Sequence, residues 1–274
     1  MKSDSMFGLW ALLLATPGLA LNFTVAGGQI FTPGLAVVDA PQPGTPLGGD
    51  QIEVALDVST NGRLQLPPYP EDLTTRIHNI TIFLYSYDTG KNFTITNGTA
   101  GVNNASLGDI MFSEPGSTVK HVKWTWPDCL VGDGQPRELD TARGIYNISI
   151  RQNFQLNGNS HYTIFDLPIS VTNRIEERQD RPSCASLENP LLTPEEVDYE
   201  GANNVPVMFA PGDATTIEPS LSGGGIGDGD GLGPTKPDAT AADGLGSGAV
   251  ALDRMGVAGW LSLASFFVFI GAVL

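Results

Sequence analysis

The chain has 274 residues, with 14 Lys+Arg against 30 Asp+Glu and a formal net charge of −16. Fourteen of the acidic residues but only three basic ones (Arg178, Arg181, Lys236) fall in 175–248, so the acidity is concentrated there and the chain before it is close to balanced. There is no basic patch, which argues against a nucleic-acid partner, and two cysteines with three scattered histidines (His78, His121, His161) lack metal-ligand spacing.

The chain opens MKSDSMFGLWALLLATPGLALNF. One lysine, an apolar run from Met6 to Leu14 and small residues at Gly18 and Ala20 make a secretory signal peptide over 1–20, with cleavage after Ala20. The run is too short to span a bilayer comfortably, which needs about 20 apolar residues. Six Asn-x-Ser/Thr triplets follow, at Asn22, Asn79, Asn92, Asn97, Asn104 and Asn147, and in the secretory pathway each is a candidate glycosylation site.

Residues 21–174 read as one all-β domain. Short alternating runs bounded by turn residues point to a two-sheet sandwich. In 51–58, Ile52, Val54, Leu56 and Val58 share the inward face. In 78–99, Ile80, Ile82 and Leu84 take one face and Asn79, Thr81, Phe83, Tyr85 and Tyr87 the other. Asp88-Thr-Gly-Lys91 is the turn, with Gly90 free to take positive φ, and Phe93 and Ile95 return on the apolar side. Val122, Trp124 and Trp126 share a face in 118–126, and we expect the tryptophans to be core. Tyr146, Ile148 and Ile150 do so in 145–150. The run 162–171 carries Pro168, which cannot donate to a ladder and so marks an edge or a bulge. Helical periodicity is nearly absent; the best candidate is 192–200.

Period-2 geometry turns Asn22, Asn79, Asn92 and Asn147 away from the apolar side, so their sugars would coat a solvent face and guard sheet edges. Asn97 and Asn104 lie in a polar loop. Phe83, Tyr85 and Tyr87 share the face opposite the aliphatic one, and aromatic rows of this kind can stack on sugar rings; the alternative is packing against a loop or neighbouring strand. Cys129 and Cys184 are expected to form one disulfide, pinning the segment after the last strand to the domain; the alternative is two free thiols.

Residues 175–248 read as an acidic, Gly/Pro-rich disordered stalk. Gly-Asp-Gly-Asp-Gly at 227–231 is a single copy without the repeats of β-roll calcium sites. Residues 249–274 form a terminal hydrophobic tail, uncharged from Gly256 on. Small residues upstream, the polar break Asp253-Arg254 and this tail make a GPI-attachment signal, with Gly246 or Ser247 as the attachment residue. The alternative is a single-pass helix.

No pair of carboxylates stands out by spacing, no Gly-x-Ser-x-Gly elbow is present and no cofactor motif occurs. The segment 139–150, with Asp140, Gly144 and Tyr146, resembles the turn-then-strand signature of immunoglobulin-like sandwiches, in which a tyrosine folds back to bond its own corner. No cysteine follows on that strand, so only the immunoglobulin-like architecture is carried over. Gly28-Gln-Ile-Phe-Thr-Pro-Gly34, 118–134 and 165–173 resemble uncharacterised fungal secreted, GPI-anchored surface proteins, which implies location and architecture but no activity. The expectation is a non-enzymatic, glycosylated protein, structural or adhesive at the cell wall, held to the membrane by its anchor and facing wall polysaccharide. The alternative is a carbohydrate-binding or carbohydrate-modifying ectodomain. A copper-handling protein is a third reading, which needs the histidines brought together.

Overall fold

The computed structural model describes residues 22–96, 109–138, 140–197, 199–202 and 204–219. Eleven strands run through them: β1 (Phe23–Ala26), β2 (Gln29–Phe31), β3 (Val37–Ala40), β4 (Pro46–Leu47), β5 (Gln51–Asp57), β6 (Arg76–Ser86), β7 (Lys91–Thr96), β8 (Val119–Thr125), β9 (Gly144–Leu156), β10 (Asn159–Val171) and β11 (Thr215–Ile217). Helix is confined to single turns, α1 (Asp109–Phe112), a 3₁₀ turn at Asp128–Leu130, α2 (Cys184–Leu187) and α3 (Tyr199–Ala202). The protein is therefore all-β with two sheets. Their orders are β11-β1-β2-β3-β5-β8 and β4-β10-β9-β6-β7.

The parity argument holds where a face is buried. Ile52, Val54, Leu56 and Val58 are buried, as are Ile80, Ile82 and Leu84 on β6, Phe93 and Ile95 on β7, and Tyr146, Ile148 and Ile150 on β9. Side chains from both sheets meet in one core. A bulge between Ile77 and Asn79 shifts the β6–β9 register, so that Ile77 and Ile80 both point inward although their numbers differ in parity. Pro168 lies on β10, where β9 pairs along one side and β4 along the other only at Ser170 and Val171; its position is edge-like, as the missing N–H requires. At the β6–β7 turn Gly90 takes φ +67.

Two buried polar side chains anchor β9, Gln152 across to the other sheet and Tyr146 within its own. Gln152 on β9 is fully buried. Its Oε1 accepts from the backbone N–H of Leu35 (3.1 Å) and Ala36 (2.9 Å), and its Nε2 donates to Thr32 Oγ1 (2.8 Å). Gly34 is where this amide lies against the backbone: a Cβ there would stand 2.6 Å from Oε1. Tyr146, at the start of β9, donates its hydroxyl to the carbonyl of Ala142 and accepts from Thr89 Oγ1 at 3.1 Å.

The folded body does not end at 174. Ile175 pairs with Gly132. Arg181, its side chain 1% exposed, donates to the carbonyls of Glu176 (2.7 Å), Asp50 (3.2 Å) and Trp126 (3.1 Å). The Cys129–Cys184 disulfide follows, with its Cα atoms 5.9 Å apart. Farther on β11 pairs with β1, opposing Ile217 to Phe23. The expected stalk over 175–219 is instead part of the folded body: its apolar residues are scattered without a period, yet Ile175, Cys184 and Val205 enter the core, and hydrogen bonds to backbone hold the stretches between them. The rest of the expected stalk, 220–248, and the tail 249–274 lie outside the described residues, as does the expected signal peptide, 1–20.

Candidate ligand face and its strap

Strand alternation sends Phe83 and Tyr85 of β6, Asn92 and Thr94 of β7, Asn147, Ser149 and Arg151 of β9, and Tyr162, Ile164 and Asp166 of β10 to the side of the five-stranded sheet away from the core. Phe83 lies opposite Ser149, which lies opposite Asp166; Arg151 lies opposite Ile164. The aromatic residues expected as a ligand row are therefore on one face, with Tyr87 just past the end of β6. They do not form a flat exposed row. Tyr85 is only 8% exposed and donates its hydroxyl to Asp166 Oδ2 at 2.9 Å. Tyr87 is 45% exposed and meets Tyr85 edge-on, with ring centroids 5.3 Å apart and planes at 72°. Phe83 carries the Arg151 guanidinium 4.6 Å above its ring, a cation–π contact.

The cover over this face is the chain's own segment 188–204, a strap that begins four residues after Cys184. Glu188 bridges Phe93 and pairs with Lys91 Nζ at 2.9 Å. Tyr87 donates to the carbonyl of Leu192 at 3.0 Å. Thr193 and Glu196 form a reciprocal capping box around Pro194: Thr193 N–H donates to Glu196 Oε2 (2.8 Å) and Glu196 N–H to Thr193 Oγ1 (3.4 Å). That turn delivers Val197, and α3 delivers Ala202, onto Ile164 and Tyr162. The helix expected over 192–200 does not form: 194–196 is a turn, and helix is found only in the single turn α3 at Tyr199–Ala202.

Two spaces remain between strap and sheet. One, beside Tyr85, Tyr87 and Asn92, has a volume of about 20 Å³, room for about one water. The other, of about 290 Å³, is lined by Arg151, Tyr162, Ile164, Leu192 and Glu196. Burial, followed by the negative charges of Asp166 and Glu195, raises the Tyr87 hydroxyl pKa above its ordinary value. A cleft with one guanidinium, nearby carboxylates and tyrosine faces suits a neutral polyhydroxylated ligand: the charged groups bond hydroxyls and the rings stack.

The sequons divide. Asn22 is exposed and Asn147 half-buried. Asn79 points to the outer face as parity requires but is only 8% exposed, and its Oδ1 accepts from Asn153 Nδ2 at 3.1 Å. Asn92 is half-buried and donates to the carbonyl of Pro190 at 2.9 Å. Asn97, Asn104, Gly246, Ser247 and the run 227–231 lie outside the described residues.

Among the described residues, the metal-ligand types form one group of three or more, Asp128, Cys129 and Cys184, and its two sulfurs are bonded to each other. His121 pairs with Glu114 at 3.0 Å. His161 stacks on Phe154, and His78 has its pKa lowered by burial and then by Arg76. Trp126 is core, its Nε1 donating to Gly48, and Trp124 packs between it and Phe93. Within the described residues no helix is long and apolar enough to cross a membrane.

Four structural residues escaped the sequence reading: Gln152, Lys120, Arg143 and Arg181. Lys120 shares the parity of Val122 and Trp124, yet is buried with Nζ donating to the carbonyls of Ser113 and Glu114. Arg143 donates to the carbonyls of Leu130 (2.6 Å) and Asn173 (2.9 Å). Gln152 and the two arginines find partners far away in sequence, and Lys120 caps carbonyls of the loop before its own strand, so none of the four leaves a spacing signal.

The sequence matches no protein-family model, no curated protein and no solved structure.

Proposed function

We propose that this chain is a non-enzymatic, glycosylated surface protein whose immunoglobulin-like sandwich is displayed away from a membrane and serves a structural or adhesive role at the cell wall. The single observation that carries the reading is the pairing of the first described strand with the last. β1 starts at Phe23, three residues after the expected cleavage point, and is closed by β11 through Phe23↔Ile217. A cut after Ala20 thus leaves the first strand whole, and the last described strand ends beside its start at the sheet edge.

The strand order supports the immunoglobulin-like part. β3 lies beside β5 and β5 beside β8, while β4 crosses to run parallel to β10 in a sheet with β9, β6 and β7. This order resembles the relation of strands A, B and E to strands G, F, C and C′ in such sandwiches, with A divided between the sheets. Tyr146 supplies the corner bond at the start of the strand in the F place. Fold alone carries no activity.

Intact cells treated with a phosphatidylinositol-specific phospholipase test the proposal. Release of a protein that loses mass with an N-glycosidase is expected; retention, with 256–274 still present by mass spectrometry, overturns the anchor. A second reading, carbohydrate binding, is favoured by the cleft at Arg151 and Tyr162. Selective retention on a glycan array by the released protein, lost in Arg151→Ala, would place it ahead.

A further inference from the structure

The strap holds one sequon at each of its three residues. Asn92 Nδ2 donates to Pro190 O at 2.9 Å, and Asn92 O accepts from Asn189 N at 2.8 Å. Phe93 forms a bridge with Glu188, and Thr94 Oγ1 accepts from Asn189 Nδ2 at 2.9 Å. Asn79 and Asn147 have no such cover from 188–190 in these bonds. With the strap in place the Asn92 amide nitrogen faces the strap backbone at 190 and lines a small, partly open space shared with Tyr85, Tyr87 and Leu192. Order of synthesis matters too. Pro190 lies 98 residues after Asn92, so in a chain made from its N-terminus the sequon is presented before its cover exists.

We infer that Asn92 is a glycosylation site whose occupancy and the docked strap exclude one another, so that the glycan decides whether the Tyr85–Arg151 cleft is covered. This rests on the secretory reading above. In the attachment, Asn92 Nδ2 forms a C–N bond to C1 of the first sugar of a lipid-pyrophosphate-linked oligosaccharide. The C1–O bond to pyrophosphate breaks, the lipid pyrophosphate leaves with the electron pair, and one amide proton passes to a base of the transferase. A sugar carbon then occupies one of the two hydrogen positions on a nitrogen that lies 2.9 Å from the strap backbone. The segment 188–192 lifts, while Cys184 stays tied by its disulfide and limits how far the strap can travel. Molecules without the sugar close the strap and bury Tyr85.

The test is hydrogen–deuterium exchange of the full secreted protein, resolved by mass into molecules with and without sugar at Asn92, beside the variants Asn92→Gln and Asn189→Ala. Losing the strap's bonds to 92–94 predicts exchange over 186–197 faster by about tenfold or more in the occupied form. Asn92→Gln should be uniformly slow, and Asn189→Ala fast whatever the occupancy. Equal protection in the two glycoforms overturns the inference. So does unchanged exchange in Asn189→Ala, and so does an Asn92 that is empty in every molecule while Asn22 or Asn147 carries sugar. Absence of sugar from every sequon would instead bring down the secretory reading on which the inference rests.

Discussion

Replacing Gln152 by Leu keeps the side chain's bulk and removes its hydrogen bonds. Three are lost: two accepted from the N–H groups of Leu35 and Ala36 and one donated to Thr32. Leu35 and Ala36 are each 1% exposed, so water cannot replace the lost acceptor without opening the loop between β2 and β3. Two buried unsatisfied donors at about 1–3 kcal/mol each give an expected loss of about 2–6 kcal/mol, against a total stability of about 5–15 kcal/mol for a domain. Urea unfolding of the secreted protein with its disulfide intact, followed by Trp124 and Trp126 fluorescence, reads this directly. Gly34→Ala is the companion change, because its new Cβ would lie 2.6 Å from Oε1 and 2.8 Å from Cδ of a side chain already held by three bonds. Its cost should fall by about 0.5–3 kcal/mol in a Gln152→Ala background, where the obstacle is gone. A loss under about 1 kcal/mol for Gln152→Leu, or a Gly34→Ala penalty that is the same in both backgrounds, would refute the staple.

Tyr146→Phe removes the corner bond to Ala142 and the acceptor for Thr89; it should cost about 0.5–1.5 kcal/mol and lower Tm by about 2–4 °C for each kcal/mol, read by thermal unfolding. Replacing Cys129 and Cys184 together by Ala frees a loop closed over a separation of 55 residues, which chain entropy places at about 4 kcal/mol; the denaturation midpoint should drop accordingly, and an unchanged midpoint would show that the Arg181 bonds alone fix the segment. Burial pushes Tyr69 up to about 12, and burial pushes Tyr146 upward as well. Because the folded state raises both above the unfolded value near 10, their contribution is complete below pH ~10 and is lost as pH climbs through the folded value. Phenolate absorbance should therefore show late-ionising tyrosines, with stability falling between pH ~10 and ~12; ionisation of every tyrosine near 10 with flat stability contradicts it.

The strands were legible because alternation is written in neighbouring residues: Ile52 to Val58 and Tyr146 to Ile150 need no distant partner to declare their face. Direction, however, is not exposure. Asn79 points outward as its parity requires, yet Asn153 and the surrounding side chains leave it 8% exposed. Tyr85 points outward and is covered all the same. Alternation fixes which way a side chain leaves the sheet; the cross-strand neighbour decides what Asn79 meets, and a separate segment decides it for Tyr85.

That second decision was hidden by composition. Residues 175–219 carry Pro, Asp, Glu and Asn in proportions that lack an apolar stripe, and such a stretch resembles a chain unable to bury a core. Single apolar residues such as Ile175 and Val205 reach the main core without forming a stripe, and polar ties hold the rest. Arg181 reaches three carbonyls, Asn189 clasps both Asn92 and Thr94, Glu188 binds Lys91, and β11 borrows an existing sheet edge. Each tie spends a polar group on backbone or on one distant side chain, so together they fix the segment while leaving no periodicity. The same logic explains why the aromatic face was visible in sequence and its cover was not: Tyr85 and Tyr87 lie two residues apart, whereas the strap meets them only after the chain has passed through β7, β8, β9 and β10.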